Sequence, residues 1–167
     1  HDGLWDLGIR KTKDVVLAAR MDTRSDGPDA LPLCLHLCGG TMPVSPDHWV
    51  ELMMTDLGDR ARFSLWAAVP RGAFRHEPAH DVVVPRRDDA GFLAKVELDA
   101  GTNLCTASVR TDAGWRQVGP SVELLLRTTH CEIKYRTGDS SGGVRETVNH
   151  GWFDDVRIYP RPQTNPV

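Results

Sequence analysis

Apolar side chains recur at every second position along most of this chain, and a period of two belongs to the β-strand. Over residues 15–21, Val15, Leu17, Ala19 and Met21 share one face, while Val16, Ala18 and Arg20 share the other. Phe92, Ala94, Val96 and Leu98 align inward in the same way. Further strands are expected over residues 33–38, 49–55, 61–69, 81–84, 104–110, 115–118, 122–126, 131–135 and 152–159. Turn signals separate them: Gly39-Gly40, Asp56-Leu57-Gly58-Asp59 and Thr111-Asp112-Ala113-Gly114. Glu51-Leu52-Met53-Met54 could start a helix, but its β-rich flanks argue for strand. About ten or eleven strands with no 3.6-residue periodicity predict an all-β, two-sheet antiparallel sandwich or a barrel.

A length of 167 residues suits one domain with a full hydrophobic core. The expected domain spans residues 1–159, and the Pro-rich stretch 160–167 reads as an extended, linker-like tail. The opening His1-Asp2-Gly3 and this tail together suggest a module of a longer protein, with that chain's other domains as neighbours. A formal charge of -3 offers no basic surface for nucleic acid. No apolar run approaches the roughly 20 residues needed for membrane insertion as a helix.

Cys34 and Cys38 fall on one face of the expected 33–38 strand, roughly 13 Å apart and too distant for a mutual disulfide. Bridges to Cys105 or Cys131 remain open, as does burial of each as a small apolar side chain.

The segment Gly151-Trp152-Phe153-Asp154-Asp155-Val156-Arg157-Ile158-Tyr159 resembles the last strand of concanavalin A-like jelly rolls, a superfamily that includes laminin-G-like modules and accessory domains of glycoside hydrolases. The strand, Asp/Gly turn and Trp over residues 107–118 are similar to the middle of such domains. The resemblance implies a jelly-roll sandwich acting as a non-catalytic, lectin-like recognition module, extracellular or at the cell surface, with a glycan as ligand. The alternative is a structural or assembly module that contacts other domains and takes no small molecule. A carbohydrate-active enzyme comes third.

Sugar sites combine an exposed aromatic platform with polar groups that read hydroxyls, which makes Trp66, Trp115 and Tyr159 the candidate platforms and Asp112 and Arg116 their polar partners. In the closing segment Val156 and Ile158 should face the core, which would bring Asp154 inward beside Trp152 and turn Asp155, Arg157 and Tyr159 outward. An inward carboxylate is costly unless compensated. Calcium-binding members of the superfamily hold their ion with an acidic residue near the last strand, and the resemblance makes Asp154 the calcium candidate. Acceptance of backbone N–H groups at a strand end would compensate it equally.

Four other strings invite catalytic readings. His76-Glu77-Pro78-Ala79-His80 matches the H-E-x-x-H zinc string, but Pro78 opposes the helix that this chemistry needs, so a solvated loop is expected. Gly138-Asp139-Ser140-Ser141-Gly142-Gly143 and Thr128-Thr129-His130-Cys131 resemble serine-protease segments at a spacing no such protease uses. Glu97 and Asp99 share a strand face without the further acid and aromatic of jelly-roll glycosidases. An N-terminal His1 could chelate copper, but nothing after it resembles an enzyme that does so. No catalytic residue is assigned.

Overall fold

The computed structural model describes residues 5–6, 15–25, 32–39, 49–69, 73–87, 90–99, 101–124, 129–135 and 149–160. Along the chain the strands are β1 (Trp5–Asp6), β2 (Val15–Ser25), β3 (Leu33–Gly39), β4 (Trp49–Asp56), β5 (Arg60–Val69) and β6 (Ala73–Arg75). After a single 3-10 turn at Pro78–His80 come β7 (Val82–Pro85), β8 (Phe92–Asp99), β9 (Leu104–Thr111), β10 (Gly114–Glu123), β11 (Thr129–Tyr135) and β12 (Asn149–Pro160). Glu51 to Met54 are strand, and the described residues contain no α-helix.

Two antiparallel sheets result. Sheet A has the order β1-β11-β3-β4-β5-β6, with β7 also paired to β5, and sheet B has the order β10-β9-β8-β2-β12. Their inner faces interdigitate into one core. Sheet B contributes Leu17, Ala19, Met21, Val96 and Val109, and sheet A contributes Leu35, Leu37, Leu52, Met54 and Phe63, all buried. Phe63 and Phe92 meet edge to face across the sandwich, with ring centroids 5.4 Å apart. The foreseen alternation is thus what drives the sheets together, at about 1.5–3 kcal/mol for each large apolar side chain buried.

The outer faces differ. Sheet A is buried on its outer side too: Cys34, His36 and Cys38 on β3, Trp49, Glu51 and Met53 on β4, and Ser64 and Ala68 on β5. Cys105 belongs to the inter-sheet core, so a bridge from it to Cys34 or Cys38 would have to cross sheet A. Sheet B is more open on its outer side: Thr106, Arg110, Trp115 and Tyr159 are partly or fully exposed and β8 alternates buried and half-buried along its whole length, although Val16, Ala18 and Asp22 of β2 are buried.

One buried cation ties the sheets at one end. Arg86, just after β7, pairs with Asp22 of β2 and, at 2.6 Å, with Asp56 at the end of β4. It also donates to the carbonyls of Thr23 and Gly58. All three charged side chains are 4–7% exposed.

Three expectations need correction. The strands foreseen at 115–118 and 122–126 are one strand, β10, which pairs with β9 on both sides of an irregularity between Val118 and Val122. Gly119 takes φ +68° there, a conformation easy for glycine. The segment expected as a loop at His76–His80 holds a 3-10 turn at Pro78–His80, and β6 just before it pairs with β5.

The third correction concerns Asp154. Between the pairs Asp154↔Arg20 and Arg157↔Ala18, two residues of β12, Asp155 and Val156, oppose the single Ala19 of β2. This is a β-bulge, and Asp155 absorbs it at φ +50°. The extra residue resets the alternation, so Phe153 and Ile158 pack on the core while Asp154 and Val156 are exposed. Asp154 accepts the N–H of Asp155 at 2.7 Å.

Candidate functional site

The outer face of sheet B presents a groove of about 690 Å³ that crosses the sheet. Small Ala18 of β2 and Leu93 of β8 form its floor, Trp115 of β10 bounds one end, and Arg157 and Tyr159 of β12 bound the other. β10 and β12 are the edge strands, four steps apart in sheet B, so the groove spans roughly 19 Å at the usual strand spacing. Trp115 is 41% and Tyr159 is 39% exposed.

Strand geometry explains why these side chains face outward. Trp115 lies opposite Arg110 and one step from Arg116, which sits opposite the buried Val109. Tyr159 lies opposite Val16, on the outer side of β2, because the bulge has already brought β12 into phase. Without that bulge, Tyr159 and Ile158 would exchange faces.

Charges hold the rings in place. Lys95 Nζ lies 4.6 Å and Arg110 Cζ 5.9 Å from the centroid of the Trp115 ring. Lys95 also pairs with Glu97 at 2.7 Å, which gives that carboxylate a structural partner. At the other end Arg157 Nε donates to Asp155 Oδ1 at 2.6 Å, and this hydrogen bond with the Asp155 charge raises the Arg157 pKa above its ordinary value.

A second cavity, of about 410 Å³, adjoins the groove and shares Leu93 with it. Asp112 and Arg116 line it, with Arg20, Arg87 and Arg110. Asp112 sits in the two-residue turn between β9 and β10 and pairs with Arg87. Four of the five candidate ligand residues therefore meet on one region of the molecule.

Trp66 does not join them. It lies on the outer face of sheet A, half-buried, with His76 stacked on its ring at 4.2 Å and 11°. Its Nε1 is buried without a hydrogen-bond partner. His76 Nε2 is 3.0 Å from Asp81 Oδ1, whereas His80 Nδ1 is 2.9 Å from Glu77 Oε2. The two histidines of the H-E-x-x-H string thus turn to different partners. Ser140 and its flanking glycines lie outside the described residues, as do His1 and the side chain of His130.

Calcium needs six to eight oxygen ligands. Among the described residues no three His, Cys, Asp or Glu side chains converge, and Asp154 faces outward in register with Arg20.

Sequence reading passed over one pair. His36 and Glu51, each 1% exposed, stand directly opposite one another on β3 and β4, and Glu51 in turn lies opposite Trp66 on β5. The signal was present: once Leu35 and Leu37 point inward, His36 must point outward, and hairpin pairing brings Glu51 beside it.

No protein-family model matches the sequence, and no curated protein matches it significantly. Solved structures are similar to it in fold. A functionally unknown protein from Saccharomyces cerevisiae superposes with a TM-score of 0.63 at 9% identity, over 94% of this chain and 75% of that one. A legume lectin-like domain from Entamoeba histolytica gives 0.57 at 8% identity, covering 96% and 79%. An alginate lyase from Pseudomonas aeruginosa gives 0.56 at 15% identity, covering 90% and 66%. At such identities the likeness is one of fold alone.

Proposed function

We propose that this concanavalin A-like jelly roll is a carbohydrate-recognition module whose ligand lies along the groove on the outer face of sheet B. One observation carries the reading: Trp115 and Tyr159, on opposite edge strands and far apart in sequence, are both exposed and line a single groove. Such rings offer a sugar its apolar face a platform and bury area at low entropic cost. A span of several strands suits an oligosaccharide. Asp155 and Arg157 at one end, and Lys95 over the Trp115 ring at the other, can read hydroxyls. The lectin-like neighbour shows that the same sandwich serves in a lectin-like domain elsewhere.

Recognition is favoured over cleavage by the groove's own chemistry. Of the described residues lining it, Asp155 supplies the carboxylate, and its Oδ1 is engaged by Arg157. Glycoside hydrolysis generally works with two carboxyl groups flanking the bond.

The test is calorimetric titration of the protein with oligosaccharide sets, repeated with Trp115→Ala and Tyr159→Ala. Loss of one stacking ring is expected to weaken binding by about tenfold, the equivalent of about 1.4 kcal/mol. Melting temperatures should stay within a few degrees of the parent, because both side chains are exposed. Unchanged affinity in both variants would move the site elsewhere. Self-association abolished by Trp115→Ala, with no sugar bound, would assign the groove to the assembly reading instead.

A further inference from the structure

We infer that the groove selects acidic glycans, with the arginine-lined cavity beside Trp115 receiving a carboxylate or sulfate of the chain. This rests on the glycan-binding reading and names the class of glycan. Four arginines, Arg20, Arg87, Arg110 and Arg116, line the cavity, and Asp112 is the acidic residue among its lining. The whole chain is negative, at a formal -3, so this local excess of positive charge runs against the average.

The partners of each arginine sharpen the point. Arg87 is matched by Asp112. Arg20 donates one N–H to the carbonyl of Ala90 at 3.0 Å and stands in register with Asp154. Arg110 lies against the Trp115 ring, and among the described residues neither Arg110 nor Arg116 forms an ion pair. Arg110 and Arg116, neither in an ion pair, thus line one cavity together with Arg20. A planar carboxylate or a sulfate meets a guanidinium fork with two charged oxygens, a bidentate match that a single neutral hydroxyl cannot make.

Position then links charge to platform. The cavity and the groove meet at Leu93, and Arg110 Cζ is 5.9 Å from the Trp115 ring centroid. A sugar ring stacked on Trp115 would therefore hold its charged substituent against Arg110, and the next stretch of chain would run toward Tyr159. Like-charged side chains crowded around one cavity repel each other. An anion relieves that repulsion and a neutral sugar does not.

The experiment compares three oligosaccharides of equal length, one neutral, one of uronic acids and one sulfated, by calorimetry in about 0.02 M and about 0.5 M salt. Expected is at least about tenfold tighter binding of an acidic chain over the neutral one at low salt, with the gap closing at high salt. Arg110→Gln combined with Arg116→Gln should bring acidic affinity down to the neutral level. Arg62→Gln, an exposed change on β5 of the other sheet, should leave the preference intact. The uronic and sulfated arms tell which anion is preferred. Equal affinity for neutral and acidic chains would overturn this inference and leave the glycan reading standing. Binding of no chain at all would overturn both. Inorganic sulfate bound as tightly as the sulfated chain would reduce the cavity to a simple anion site and overturn the glycan part.

Discussion

Arg86 distributes its donors over two buried carboxylates and two backbone carbonyls, with the Phe92 ring 5.4 Å from its guanidinium carbon. Removing it would leave Asp22 and Asp56 buried with much of their compensation gone, although Arg24 stays 3.6 Å from Asp22. Arg86→Ala is expected to destabilise by about 3–5 kcal/mol in urea unfolding, and Arg86→Lys to recover only part, because an ammonium lacks the planar fork. A loss below about 1 kcal/mol would mean the network is spectator chemistry. Neighbouring residues separate equally well. His76 is stacked on Trp66 and bonded to Asp81, so His76→Ala should cost about 1–2 kcal/mol, whereas exposed His80→Ala and Asp154→Ala should each stay within about 0.5 kcal/mol. Thermal melts of the three variants check this, and equal melting shifts would contradict it. The sequence expectation was the reverse for Asp154, because alternation was carried unbroken through a strand that contains a bulge.

At the scale of elements, most of the fold was legible wherever a strand stays regular. The inward set of β8 and the hairpin turn around Gly58 follow directly from the pattern, and the structure has both. The bulge in β12 and the irregularity in β10 were not legible, because an inserted residue leaves the letters on either side looking like ordinary strand. Asp155 offered a faint hint, since Asp tolerates the left-handed region better than most residues. Gly91 shows the same kind of local necessity. It takes φ +68°, and a Cβ there would lie 2.5 Å from Cη2 of Trp152 and 3.0 Å from the carbonyl of Met21. Gly91→Ala should therefore cost about 1–3 kcal/mol and expose Trp152, read as lower stability with a red-shifted tryptophan emission. An unaltered emission spectrum would show that Trp152 does not lie over Gly91 in solution.

For the whole molecule, the aromatic residues of the candidate site could be named from the sequence but their grouping could not. Trp115 and Tyr159 meet only through the strand order β10-β9-β8-β2-β12, which depends on long-range pairing. The sequence alone could not reveal that Trp66 sits on the other sheet. Nor could it show that sheet A is buried on both sides. That difference has a measurable counterpart: amides of β3, β4 and the second half of β5 should exchange with solvent more slowly than those of β10, by about an order of magnitude or more. Comparable exchange in the two sets would contradict a doubly covered sheet A.

The pairing of β2 with β12 also decides when the sandwich can close. β2 lies near one end of the sequence and its partner near the other, over the register Val15↔Pro160 to Ser25↔Asn149. During synthesis the ribosome releases β2 early, and one side of it stays a bare row of amide and carbonyl groups until the last strand emerges. Sheet B has all its strands only once residues 149–160 have emerged. A nascent chain stalled short of Asn149 would present that open edge, with the apolar side of β2 beside it, to any other chain nearby.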